Sequence, residues 1–263
     1  MKQVRKFNQL AAKLGFTLIE LSIVLVIIGL IVGGILVGQD LIKAAEIRAT
    51  VSQLEKYSTA VNTFRGKYNG LPGDLLNASN FGFDTRTGAD GRGDGDGLIE
   101  SAASGAAGSW AGETACFWDD LSVAGLISEN LNGSGTCDSN ASPATISVVI
   151  PVTKMGRGNY VLSGTSSGVN YWGITGVTGI SSNAYAMSRL LTPSEAFQLD
   201  SKLDDGVGTS GSVQAMQNSV VNGLWATQDT DAAGACVGAT GSYDFGTNSG
   251  STQACALRVR SSF

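Results

Sequence analysis

Gly15-Phe16-Thr17-Leu18-Ile19-Glu20 opens an apolar run that extends to Gly38 and carries one carboxylate, that of Glu20. At about 1.5 Å of rise per residue, a helix over residues 16–38 is long enough to cross the hydrocarbon core of a bilayer. An acid near the start of such a helix costs on the order of 2–3 kcal/mol unless it finds a partner. Upstream, residues 1–15 hold Lys2, Arg5, Lys6 and Lys13, no acid, and a small residue, Gly15, directly before the run. That is the charge layout of a targeting leader. An ordinary secretory signal loses its apolar core on cleavage. A cut after Gly15 keeps the core and makes a new amine on Phe16. Glu20 then lies one helical turn from a free amine and from the positive end of the helix dipole, in its own chain or in a neighbour.

The stretch Lys-Leu-Gly-Phe-Thr-Leu-Ile-Glu-Leu at residues 13–21 resembles the processing site of type IV prepilins and of the pseudopilins of type II secretion. In that family a membrane prepilin peptidase cuts after the glycine and methylates the new terminal residue. The resemblance implies that Gly15 is the last leader residue, Phe16 the N-methylated terminus, and Glu20 the assembly glutamate that pairs with the terminal amine of an adjacent subunit. It is strong over about the first fifty residues and weak beyond them. A signal anchor with an incidental glutamate is the alternative.

Beyond Gln39 the helix is expected to continue through residues 39–66, because Ile47, Val51, Leu54, Val61 and Phe64 recur at helical steps with Lys43, Glu46, Arg48, Glu55 and Lys56 between them. One continuous helix from Phe16 to about Arg65 would be roughly 75 Å long. Gly29, Gly33, Gly34 and Gly38 fall in its membrane half, where small residues permit close helix contact and slightly lower helix stability. Turn residues and Pro72 in Tyr68-Asn69-Gly70-Leu71-Pro72-Gly73-Asp74 end it.

The remaining residues, 67–263, form a head long enough to bury its own core. Helical spacing of Trp118, Leu121, Ala124 and Leu126 predicts a helix over 118–127. Strands are predicted at 145–152, 160–163, 169–175, 184–188 and 254–259. Thr192-Pro193-Ser194-Glu195 reads as a capping box with proline at the first helical position, starting a helix through about Leu203. The expected class is α+β: a long amino-terminal helix packed against an antiparallel sheet, as in a pilin.

Gly is abundant at 36 residues, charged residues make up only 15%, and there is no His. Loss of the leader moves the net charge from −5 to about −9 and leaves no basic cluster, so direct nucleic-acid binding is not expected. Cys116 and Cys137, and Cys236 and Cys255, have similar spacings that invite two local disulfides in an oxidising compartment. Four cysteines allow three connectivities, and the sequence does not choose among them. Zinc competes weakly, with no CxxC pair and no His.

Asp90-Gly91-Arg92-Gly93-Asp94-Gly95-Asp96-Gly97-Leu98-Ile99-Glu100 is a glycine-bent acidic loop. Ca²⁺ accepts six to eight oxygen ligands in flexible geometry, which makes Asp94, Asp96 and Glu100, with Asp90 beside them, the candidate ligands. Arg92 stands where a ligand would be wanted, the spacing is not that of an EF-hand, and such repeats also form solvated turns. Calcium has a comparable role in some pseudopilins, so the resemblance implies it too. Arg92-Gly93-Asp94 also spells an integrin-type tripeptide that arises easily in such a loop.

The common hydrolase and nucleotide-driven chemistries lack their parts: there is no His, no nucleophile elbow and no phosphate-binding loop. Asp119 with Asp120, and Asp204 with Asp205, are adjacent acids whose side chains diverge, so neither makes an acid/base couple. The expectation is a non-enzymatic filament subunit needing no cofactor beyond possible Ca²⁺. Its partners would be the prepilin peptidase, copies of itself or related subunits, and an inner-membrane platform with a separate ATPase. It would span the inner membrane once, head in the periplasm, before joining a surface pilus or a periplasmic pseudopilus. A low-abundance tip adhesin and a monomeric anchored protein are the other classes.

Overall fold

A computed structural model describes residues 16–85, 93–100, 112–131, 145–181, 184–216, 236–238, 240–246, 250 and 252–263. Gly15 and the rest of the expected leader, Asp90, Arg92 and Cys137 lie outside the described residues. The chain is α+β, and it divides into two units, Met1–Ala44 and Ala45–Phe263. Helix α1, Leu18–Tyr68, contributes to both.

In the first unit the aliphatic side chains of α1 are exposed: Leu18 is 90% exposed and Leu30 73%. A methyl placed on Gly29, Gly33, Gly34 or Gly38 would meet no atom within 4 Å. By length and composition α1 is apolar enough to cross a membrane.

In the second unit α1 turns amphipathic. Ile47, Thr50, Gln53, Leu54, Tyr57, Ala60, Val61 and Phe64 are buried, and Val51 packs partly against the same core. The helix stops at Tyr68 because Asn69 takes a left-handed φ of 56° while its N–H still donates to Arg65 O at 2.9 Å. Helix α2, Glu113–Val123, begins and ends earlier than the predicted 118–127. Gly125, at φ 67°, terminates it: Leu126 N–H returns to Leu121 O and Gly125 N–H to Ser122 O, both at 3.0 Å. That is a Schellman turn, so Leu126 is its flanking apolar residue and not a further helical position. Helix α3, Pro193–Leu203, carries the predicted capping box.

Strands β1 (Asn159–Ser166), β2 (Val169–Ser181), β3 (Ala184–Ser188), β4 (Val213–Ala215) and β5 (Leu257–Arg260) form one antiparallel sheet in the order β1-β2-β5-β4, with β3 paired to β2. β1 and β2 are joined at Ser166↔Val169 by the two-residue turn Ser167-Gly168, both at positive φ, the twist-matching hairpin connection. The long β2 serves two sets of partners: its first half pairs β1 and β5, and beyond a bulge at Val177/Gly179 it continues along β3.

The predicted strand at 145–152 is not one. Ile146–Val148 is a short 3-10 turn, and only Val152 bridges to Tyr160. Pro151 explains part of this, since it has no N–H to give and only its carbonyl joins the sheet, accepting from Val161 N–H at 3.0 Å. β4, three residues long, has no counterpart among the predicted strands.

The sheet packs on the second-unit part of α1 through aromatics. Trp172 of β2 donates its ring N–H to Ser58 Oγ at 3.2 Å and stacks on Trp118 of α2 at 5.6 Å between centroids. Tyr57 meets Trp118 edge-on at 4.8 Å. Gln53, 4% exposed, ties α1 to the 152–154 segment: it donates to Val152 O at 2.9 Å and accepts from Lys154 N–H at 3.0 Å.

Candidate functional site

Two groups of acids among the described residues bear on the sequence expectations. The first is the start of α1. Thr17 lies just before the helix, and its N–H and its hydroxyl both donate to Glu20 Oε2, at 2.8 and 2.7 Å. Glu20 N–H returns to Thr17 Oγ1 at 3.3 Å. Threonine before the first turn and glutamate three residues on make a reciprocal capping box, which satisfies two of the N–H groups a helix start leaves unpaired. This box is an addition to the sequence reading, although Thr17-Leu18-Ile19-Glu20 has its signature. Of the other polar groups in residues 18–38 there is one side chain, Ser22, and its hydroxyl is taken by Ile19 O at 2.8 Å. Phe16, the expected mature terminus, is 82% exposed.

The second place is the acidic loop. Asp74, just past the end of α1, and Glu113, the first residue of α2, are both 1% exposed and reach into it from outside. Gly95 and Gly97 donate their N–H groups to the two oxygens of Asp74 at 2.6 and 2.8 Å, and Gly93 and Glu100 donate theirs to the two oxygens of Glu113 at 2.7 and 2.9 Å. The loop can turn these amides inward because Gly93, Gly95 and Gly97 sit at φ 75°, 78° and 88°, which side chains disfavour. Asn170 of β2 fixes the loop's far end, accepting from Ile99 N–H at 3.0 Å and donating to Gly97 O at 2.9 Å.

Asp74, Asp94 and Glu113 bring carboxylate oxygens within 4.8 Å of one another. Burial, opposed by the loop amides and reinforced by the neighbouring Asp94 and Asp96, pushes Asp74 up to about 6. Burial, with the charges of Asp74 and Asp94, pushes Glu113 up to about 8. Of the described residues expected to hold calcium, the structure brings only Asp94 into this group. Asp96 is spent on a local turn, accepting from Leu98 N–H at 2.7 Å, and Glu100 contributes its backbone N–H to Glu113.

Asp74 and Glu113 escape a sequence reading because they lie 13 to 23 residues from the amides they bind. Asp74 behind Pro72-Gly73 at the helix exit is the available signal. An all-oxygen donor set of this kind suits a hard cation such as Ca²⁺ in kind and charge, and these three are the described residues of the loop region that could hold one. The loop amides already engage all four oxygens of Asp74 and Glu113, so the cluster also works as a brace closing the loop over α1 and α2.

The remaining acids weighed for chemistry hold backbone too. Asp120 Oδ2 accepts from Gly73 N–H at 2.7 Å. Asp204 accepts from Ser212 N–H, and Asp205 accepts from Val207 N–H and Ser210 O–H, both at 2.8 Å. Asp200 joins these two in a second carboxylate group and is raised by burial, against a hydrogen bond from Tyr243 O–H at 2.8 Å.

Cys236 and Cys255 form a disulfide 19 residues apart in sequence, next to the bridge between Leu191 and Cys255. Cys116 is buried and also disulfide-bonded. A groove of about 650 Å³ runs along α1 from Ala49 to Thr63, walled by Ile127, Glu129 and Lys154.

The chain matches no protein-family model, no curated protein and no solved structure.

Proposed function

We propose that the chain is a pilin-like structural subunit. It is inserted once in an inner membrane, cut after Gly15, methylated at Phe16, and polymerised through its apolar helix into a filament. A membrane peptidase and a platform with its own ATPase supply the cut and the work. The supporting observation is the order of residues 15–20 together with the exposure of the helix behind them. A small residue, an aromatic and then an acid stand at the head of a helix whose aliphatic side chains are exposed. Lipid covers that surface before assembly, and neighbouring helices cover it afterwards. Gly29, Gly33, Gly34 and Gly38 leave room for their close approach. The disulfides fit a periplasmic or surface head.

The size of the head favours a second reading within the same class. Nearly two hundred residues follow the helix, which suits a minor or tip subunit that presents a binding surface. Its abundance in purified filaments, stoichiometric or trace, separates the two.

The test is Glu20→Val in the full chain. The variant is expected to be cut, methylated and inserted at the wild-type level, as read by intact mass and membrane fractionation, and to be missing from sheared filaments. Normal amounts of the variant in filaments would overturn the proposal.

A further inference from the structure

We draw no further inference here: the strongest candidate, the groove of about 650 Å³ along α1 from Ala49 to Thr63, carries none, because Glu55 and Glu129 balance Lys56 and Lys154 around it and nothing in the structure shows what covers it.

Discussion

The acid at the start of α1 is exposed, whereas Asp74, Glu113 and Glu195 in the head are buried. Glu195 is closed on both sides, by Thr192 and by Arg157. Asp74 and Glu113 are each closed by two amides of one loop. Glu20 is exposed, and the two bonds to its carboxylate come from Thr17. These three buried acids of the head have their partners inside the chain, so they stabilise this fold and ask for nothing beyond a proton or a cation. Changes that open the closed acids should cost folding of the head and leave the amino-terminal site alone.

The largest effect is expected from Gly73→Ala. Gly73 has φ 85°, its N–H bonds Asp120, and a methyl there would run into the Glu113 backbone carbonyl. Left-handed strain and the clash add up to about 3 kcal/mol or more, because the neighbour in the way is backbone and not the end of a flexible side chain. The head should melt roughly 10 °C lower in the detergent-solubilised chain. A midpoint within a degree or two of wild type would mean that the junction of α1, α2 and the loop is looser than its hydrogen bonds indicate.

Next is the pH dependence. Burial raises Asp74 to about 6 and Glu113 to about 8, above the ordinary 3.8 and 4.5. The folded state therefore holds protons that the unfolded state has already released, and stability falls as pH rises through that window. Below about pH 4 both states are protonated and the difference disappears. The melting midpoint is expected to drop by a few degrees between pH 5 and pH 8. A cation seated among Asp74, Asp94 and Glu113 would abolish the drop, so the same series in calcium chloride reads its occupancy. A midpoint that rises with pH in chelator would contradict the closed, uncharged brace.

How far the sequence could be read obeys the same division between local and distant partners. The apolar run, the amphipathic face from Ile47 to Phe64, the α3 box and strand β3 rest on residues within a few positions of each other, and each is legible. α2 is displaced because Leu126 continues the helical spacing while Gly125 ends the helix, and a local terminator outweighs periodicity. The supposed strand at 145–152 has the right composition, but its neighbours in space give it one bridge. β4 exists only because β5 is there to pair with, and no three-residue window announces that. The acidic loop is recognisable as a cluster, but with the wrong members. Asp94 is legible, whereas Asp74 and Glu113 are brought to it by the ends of two helices.

The smallest effect sharpens the contrast between the two boxes. Thr192→Val keeps the volume and removes the hydroxyl that accepts from Glu195 N–H at 3.2 Å. In the closed box Glu195 keeps its bonds to Thr192 N–H and Arg157, so its charge and position survive, and the loss is one cap acceptor worth about 1 kcal/mol. That amounts to about 2–4 °C in the melting midpoint of a head this size. The equivalent change at Thr17 removes a donor to an exposed carboxylate in the first unit, and the midpoint of the head should stay where it was. A Thr17→Val midpoint as low as that of Thr192→Val would contradict the division between the two units.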